Sequence, residues 1–219
     1  NGKVINTEAY HFYGDEWKIV TTISTVEEVV LPSQPILSQP SNMISINDNT
    51  PSFQWVIGEN TEKTTLLIDK EINLTDGDEW INVSLDSSIE NYTIPGGNAL
   101  IEGKWYWQVI ANNTHQKNFS EKREFIVDIT PPLPVNLSLP LDDAKTSNNQ
   151  VTFQWNATSD DTTNTSLLSE IACYQLQVDD TGDFSSPLIN QNTTDNQTLS
   201  ITTQIAGRLF WRVRAWDTA

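Results

Sequence analysis

Carboxylates gather at two places where they could do chemistry. Each cluster follows a strand-like segment that ends in aspartate, and the members are Asp76, Asp78 and Glu79 in the first and Asp179, Asp180 and Asp183 in the second. Two carboxylates at a fixed separation can act as acid and base on a glycosidic bond. Carboxylates with loop carbonyls can instead hold calcium, although the spacing here differs from an EF-hand. Because the cluster occurs twice, we favour turn acids or weak calcium sites over catalysis, and the choice between these two stays open.

Other reactive residues are scarce. No G-x-S-x-G elbow and no phosphate-binding glycine loop occurs in the sequence. Cys173 is the single cysteine, so neither an intrachain disulfide nor a cysteine-rich zinc site can form. His11 and His115 lie far apart in polar surroundings, which indicates surface histidines. We predict no catalytic residues, no enzyme activity and no cofactor beyond N-linked glycans and weakly held calcium.

Glycosylation acceptors are strongly enriched. With 21 Asn, 25 Thr and 18 Ser in 219 residues, chance gives about 4 Asn-x-Ser/Thr sites. The sequence holds ten, at Asn73, Asn82, Asn91, Asn112, Asn118, Asn136, Asn156, Asn164, Asn192 and Asn196. This number predicts a secreted chain covered with N-linked glycan. Plain richness in Asn and Thr is the alternative.

Charge and hydropathy exclude several classes of protein. Lys plus Arg is 12 and Asp plus Glu is 29, which gives a formal net charge of -17. Phosphate backbones and anionic lipids repel such a chain, so we predict no nucleic-acid partner. No apolar run is long enough to span a bilayer. Because the chain lacks an initiator Met and a leader, we expect a processed product or a piece of a longer protein.

The sequence contains an internal repeat of strand-like blocks. Ser52–Trp55 returns as Thr152–Trp155, and Gly103–Ala111 returns as Gly207–Ala215, with the order of blocks kept. Apolar residues recur at every second position between turn-forming clusters, which is the pattern of half-buried strands. The repeat therefore predicts an all-β fold of tandem β-sandwiches.

Alternation along these strands assigns residues to the inside or the outside of a sandwich. It places the acceptors Asn82, Asn91, Asn112, Asn136 and Asn156 outside. It places the tryptophans Trp55, Trp107, Trp155 and Trp211 in the cores, with Trp105 at a rim. Aromatic residues outside that set are the candidates for contact with a neighbour or a glycan, namely Trp17, Trp80 and Trp216, then Phe12 and Tyr13.

Further motifs carry a resemblance to a known family. The chain has a P-x-L-x-x-P segment from Pro35 to Pro40, F-x-W at Phe53, W-x-V-x-A within Gly103–Ala111 and F-x-V-D-x-T-P-P from Phe125 to Pro132. This order resembles the fibronectin type III-like and immunoglobulin-like modules of prokaryotic surface proteins. The resemblance implies two tryptophans that pack across each sandwich, Trp55 with Trp107 and Trp155 with Trp211. Dense acceptors without disulfides resemble archaeal surface glycoproteins, and such modules serve many functions.

The resemblance divides the chain into three segments. Residues 35–130 form a first fibronectin type III-like domain, and residues 131–219 form a second that lacks its last strand. Residues 1–34 form a hairpin, from Glu8 to Tyr13 and from Glu16 to Ser24, and then a strand-like run from Val26 to Leu31. The segment could donate a strand to the open edge of another copy, head to tail. It could equally end a preceding module.

We predict an extracellular, non-enzymatic structural segment of a cell-surface layer or filament, N-glycosylated and assembled by module docking or β-strand addition. The alternatives are spacer or carbohydrate-contacting modules of a large secreted hydrolase, and an adhesin. A catalytic domain elsewhere in the same protein would favour the hydrolase.

Overall fold

A computed structural model describes residues 4–25, 29–160, 170–194, 198–202 and 207–219, and in these ranges the fold is all-β, as predicted. The strands in chain order are β1 (Val4–Tyr13), β2 (Glu16–Thr25), β3 (Ile36–Gln39), β4 (Ile44–Ile46), β5 (Ser52–Val56), β6 (Lys63–Asp69), β7 (Ile81–Asp86), β8 (Asn91–Thr93), β9 (Gly103–Asn112), β10 (Lys117–Phe119), β11 (Arg123–Val127), β12 (Leu137–Leu139), β13 (Gln150–Trp155), β14 (Ile171–Asp179), β15 (Ile189–Thr193), β16 (Thr198–Thr202) and β17 (Phe210–Asp217). A short 3-10 helix spans Gly96–Asn98.

Strands β3 to β11 form a first sandwich of two sheets. One sheet has the order β3-β5-β8, and the other has the order β4-β11-β9-β6-β7, with β10 paired to β9. Phe53 and Trp55 on β5 are buried while Ser52 and Gln54 are exposed, as alternation requires. The core between the sheets contains Leu37, Phe53, Trp55, Leu66, Ile68, Ile81, Ile94, Leu100, Trp105, Trp107, Val109, Phe125 and Val127.

Strands β12 to β17 form a second sandwich from the repeated blocks. Its sheets have the orders β12-β13-β16 and β15-β14-β17. Strand β13 corresponds to β5, β14 to β6 and β17 to β9, so sequence blocks that repeat occupy equivalent places. The buried core contains Phe153, Trp155, Tyr174, Leu176, Val178 and Val213. The prediction of tandem fibronectin type III-like sandwiches is confirmed.

The two sandwiches differ at one sheet edge. In the first, β11 pairs with β9 from Arg123 opposite Trp107 to Val127 opposite Gly103. In the second, β17 pairs with β14 alone within the described residues. The backbone N–H and C=O groups on that side of β17 therefore have no strand partner in this part of the chain.

A hairpin of β1 and β2 precedes the sandwiches. Its ten pairs run from Val4 opposite Thr25 to Tyr13 opposite Glu16, around a turn in which Gly14 has φ +65°. The left-handed conformation at this turn suits glycine, which has no Cβ. The predicted strand from Val26 to Leu31 is wrong for its last three residues, which form no strand, and residues 26–28 lie outside the described ranges.

Candidate functional site

The first acidic cluster lies in the loop between β6 and β7. Asp69, the last residue of β6, accepts a hydrogen bond from the backbone N–H of Trp80 at 3.2 Å through Oδ2. Glu79 accepts from the backbone N–H of Gly77 at 3.3 Å and from Nδ2 of Asn82 at 3.2 Å. These bonds fold the loop back toward the sheet, so the carboxylates of Asp69 and Glu79 stabilise the conformation of the loop.

The same loop borders an open cleft of about 390 Å³ on the outer face of the sheet. Asp76, Glu79 and Lys117 supply its charged lining. A hydrogen bond with Asp76 and repulsion by its charge raise the pKa of Asp78 above the ordinary value of 3.8. The cleft is open to solvent, and its lining is mixed, with two carboxylates, one lysine and the apolar side chains of Leu67 and Ile110.

The second acidic cluster forms a turn after β14. Oδ1 of Asp179 accepts hydrogen bonds from the backbone N–H of Thr181 at 2.8 Å and from its hydroxyl at 2.9 Å. Oδ1 of Asp183 accepts from the backbone N–H of Ser185 at 2.8 Å. In each case the N–H bond is the main cause of a lowered pKa for the aspartate. Both carboxylates therefore stabilise the turn in their ionised forms.

Neither cluster brings enough ligands together to define a metal centre. Across the described ranges, no group of three or more His, Cys, Asp or Glu side chains is close enough to hold an ion. Asp180 is exposed. Calcium at Asp76, Asp78, Asp179, Asp180 or Asp183 stays a prediction.

The two acidic loops should respond to acid with opposite signs. The fold favours ionised Asp179 and Asp183, so their contribution is present above their ordinary pKa and is lost as the pH falls through the lowered values. The fold disfavours ionised Asp78. Protonated Asp78 therefore contributes to the stability of the fold at low pH, and this contribution is lost as the pH rises through the raised pKa. We expect acidification from pH 7 to about pH 3 to lower the protection factors of backbone hydrogen exchange, which are corrected for the intrinsic exchange rate at each pH, in residues 179–185 and not in residues 76–80.

Substitutions check this difference. Asp78→Asn should stabilise the first loop at pH 7, whereas Asp86→Asn, an exposed change on the neighbouring strand, should leave hydrogen exchange unchanged. Equal acid sensitivity of the two loops would contradict the assignment of the shifted pKa values.

Eight of the ten acceptor asparagines lie in the described ranges. Those that are exposed are Asn73, Asn82, Asn91, Asn136, Asn156 and Asn192. Asn112 and Asn118 are half-buried, and their Nδ2 atoms donate hydrogen bonds to Oγ1 of Thr65 at 3.3 Å and to the carbonyl of Pro32 at 3.0 Å. Asn164 and Asn196 lie outside the described residues. Glycosylation stays a prediction, and the exposed group offers the more accessible Nδ2 atoms.

The tryptophans occupy the cores with two exceptions to the sequence prediction. Trp55, Trp107 and Trp155 are buried. Trp211 is only partly buried against its cluster, because no strand lies beyond β17 in the described residues. Trp105, predicted at a rim, is fully buried, because it lies on the same side of β9 as Trp107 and belongs to the core between the sheets; Trp80 packs on it with ring centroids 5.5 Å apart.

The ring contacts across each sandwich also differ from the family pattern. Trp107 meets Phe53 with centroids 5.0 Å apart, and Trp211 meets Phe153 at 5.2 Å. The implied pairs Trp55 with Trp107 and Trp155 with Trp211 are not among the ring contacts of the described residues. Phe53 lies two positions before Trp55, and Phe153 lies two positions before Trp155. These phenylalanines make the ring contacts that the resemblance implied for the two tryptophans.

Two of the predicted contact aromatics are exposed. Trp80 and Trp216 keep 47% and 49% of their surface accessible. Nε1 of Trp80 donates to the carbonyl of Asn98 at 3.4 Å. The side chains of Trp17, Phe12 and Tyr13 lie outside the described part of the structure. No pattern in the sequence singles out the arginines beside Trp216, apart from their place on a repeated strand.

The segment that follows β11 is bonded to the first sandwich. The backbone N–H of Asp128 donates to the carbonyl of Ile46 at 3.1 Å. Oε1 of Glu102 accepts from the backbone N–H of Ile129 at 3.0 Å and also from the hydroxyl of Thr130. Glu102 therefore holds the two residues that lead away from this sandwich.

The next residues are bonded to the second sandwich. The backbone N–H of Leu133 donates to the carbonyl of Ser159 at 3.0 Å, and the hydroxyl of Thr158 donates to the carbonyl of Leu133 at 2.9 Å. Only Pro131 and Pro132 lie between the two anchored ends. Proline fixes φ near −65°, so this connection has few soft torsions.

Comparison with known proteins gives one partial family match. The model of the family described as SusE outer membrane protein matches residues 115–205, about two fifths of the chain. No curated protein matches the sequence. The structure is similar to the FN1–FN3 domains of chicken CNTN1, with 12% identity and a TM-score of 0.49, over 92% of this chain and 65% of that one. The chain thus spans about two thirds of the length of that structure.

The family match concerns the cellular location of the protein. It confirms the predicted cell-surface location, since the matched family is one of outer membrane proteins. It supports a bacterial cell-surface protein with fibronectin type III-like modules and gives no support to an archaeal source. No helix in the described ranges is long and apolar enough to cross a membrane.

Proposed function

We propose that this chain is a non-enzymatic pair of modules in a bacterial cell-surface protein, and that it works as a stiff spacer. The observation that carries the proposal is the connection between the sandwiches. Glu102 bonds its start, Ser159 and Thr158 bond its end, and Pro131 and Pro132 are the only residues between these anchors. A spacer of this kind holds whatever is attached to it at a fixed distance and direction.

Two further features belong to this proposal. Residues 35–130 and 131–219 act as separate folding units, since each builds its own core from its own strands. The exposed acceptor asparagines carry glycan that shields the outer faces. The hydrolase alternative fits the same spacer role, because a catalytic domain can be carried in this way.

A second candidate function is assembly by β-strand addition. The edge of β17 without a strand partner in the described ranges favours it. A strand from residues 1–34 of another copy would then pair head to tail and produce a filament or layer.

Spin labels on the two sandwiches test the spacer. Ser88 and Ser186 are exposed, one in each sandwich, and can be labelled as cysteines in a Cys173→Ser background. Glu102→Ala removes the hydrogen bonds to Ile129 and Thr130. It should therefore broaden the distribution of distances between the two labels, measured by double electron–electron resonance. Glu71→Ala, an exposed acid in the same sandwich, should leave the distribution unchanged. Equal distributions in both variants would contradict a linker held by Glu102.

A further inference from the structure

Corresponding strands of the two sandwiches keep their inward residues and differ in their outward ones. The inward pairs on β9 and β17 are Trp107 and Trp211, Val109 and Val213, and Ala111 and Ala215. The outward pairs are Gln108 and Arg212, Ile110 and Arg214, and Asn112 and Trp216. Core packing explains the inward residues. It does not explain why the outward positions of β17 carry two arginines and a tryptophan.

The outer face of the first sandwich is covered by its own chain. Leu74, in the β6–β7 loop, is fully buried against Leu67 and Ile110, with Tyr106 beside them. On the second sandwich the equivalent place of Ile110 holds Arg214, which is exposed. The equivalent position is thus covered by a loop in the first sandwich and exposed in the second.

Contacts on this face of the second sandwich hold the arginines in place. Nε of Arg212 donates to Oε1 of Gln177 at 2.7 Å, and its guanidinium lies 4.3 Å from the ring centroid of Phe184. Nε of Arg214 donates to Oε1 of Gln175 at 3.1 Å. These bonds use one edge of each guanidinium and fix its plane, which is the preorganisation that binding sites require.

Neither Arg212 nor Arg214 forms an ion pair with a carboxylate within the described residues, although Asp179 lies on the same side of β14 as Gln177. Arg208 and Arg123 form ion pairs with Asp143 at 2.6 Å and with Glu121 at 2.7 Å. Arg212 and Arg214 form none in the same ranges, although the chain has 29 acidic residues. They stand two positions apart on one strand, about 7 Å along it, so their like charges repel. An anion bound between them would relieve that repulsion.

Trp216 adds an apolar surface next to the charges. Its ring is 49% exposed and lies 5.5 Å from the guanidinium of Arg214. A flat exposed indole is a stacking surface for a sugar ring, and the half-buried amide of Gln175 is suited to a hydroxyl group. Gln177 is buried and only holds Arg212 in place. A further strand beside β17 would pair at its edge and would leave this face open.

We propose that this arginine face, formed by Arg212, Arg214, Trp216 and Gln175, binds a polysaccharide that bears carboxylates. A carboxylate takes two parallel hydrogen bonds from a guanidinium, and the neighbouring pyranose stacks on Trp216. Physiological salt screens charges beyond about 8 Å, so these two guanidiniums outweigh the negative charge of distant parts of the protein. The binding role goes beyond the spacer and does not depend on it.

A titration with matched sugars tests the proposal. The full chain, expressed without glycosylation, is titrated calorimetrically with hexagalacturonate and with its fully methyl-esterified form. We expect the acid to bind and the ester to bind at least about tenfold more weakly. Arg214→Gln and Trp216→Ala should each weaken binding of the acid by about tenfold or more.

Two control variants isolate the arginine face. Lys145→Gln makes the same change in charge at an exposed position of the second sandwich, and Trp80→Ala removes an equally exposed tryptophan from the first. Both should bind the acid like the unaltered chain, and near-ultraviolet circular dichroism should show that every variant is folded. Equal binding of acid and ester, equal losses in the controls, or no binding would overturn the proposal. Self-association that Arg214→Gln abolishes would also overturn it, because the partner would then be a second copy.

Discussion

Replacing Trp107 with alanine is expected to lower the free energy of unfolding of the first sandwich by about 3–5 kcal/mol. The indole is fully buried between the sheets, and its centroid lies 5.0 Å from that of Phe53. Alanine would lose the transfer free energy of the ring and leave a cavity that the flanking strands cannot fill. Urea unfolding of the full chain, followed through amide signals of β5, β6 and β9, measures the change.

Two variants make the Trp107 result specific. Trp80→Ala removes a tryptophan that is 47% exposed, so it should cost much less. Trp107→Phe keeps most of the volume, and it gives up no hydrogen bond because Nε1 of Trp107 has no partner in the described residues. It should therefore fall between the other two. Equal losses for Trp107→Ala and Trp80→Ala would contradict a core centred on Trp107.

Replacing Leu74 with alanine is expected to lower the free energy of unfolding by about 2–5 kcal/mol. Leu74 is fully buried although it lies in a loop, because it packs on Leu67 and Ile110 on the outer face of the sheet. The loss should appear first as faster hydrogen exchange in residues 70–80, since these residues depend on that contact.

Ile72→Ala is the matched control for Leu74. Ile72 lies two residues earlier in the same loop and is 60% exposed. Its replacement should change neither the stability nor the exchange of the loop. If both variants behave alike, the loop is not anchored by Leu74 and the first sandwich does not cap its own outer face.

Period-two alternation predicted the inward residues of the central strands. Phe53 and Trp55 on β5 and their repeats Phe153 and Trp155 on β13 are buried, because a central strand has neighbours on both sides and one face on the core. The order of repeated blocks likewise predicted two sandwiches of the same type. Local pattern suffices where a strand lies inside a sheet.

The same rule failed at edges and loops. Leu137 and Leu139 alternate with polar residues, yet all of β12 is exposed, because it is a short edge strand whose register shifts between these two leucines. Leu74 lies in a loop and is nevertheless fully buried on Leu67 and Ile110. Such contacts depend on how a loop folds over a sheet, which no periodicity in the strand reveals.

Some features of the candidate sites could likewise be predicted from the sequence, and others could not. The exposure of Asn82 on β7 and of Asn156 directly after β13 follows from the alternation of these two strands. The arginine face could not be predicted, because it needs the lateral pairing of β14 with β17 that places Gln175 opposite Arg214. Composition alone indicated an acidic protein and gave no sign of a basic surface.

If the two sandwiches form a stiff spacer, labels at positions 88 and 186 keep a fixed separation. The distribution of distances between these labels, in the chain with its natural linker, measures this. We predict one narrow peak that is unchanged by the viscosity and salt content of the solution. A broad distribution, of the width expected for two bodies on a flexible tether, would contradict a stiff spacer.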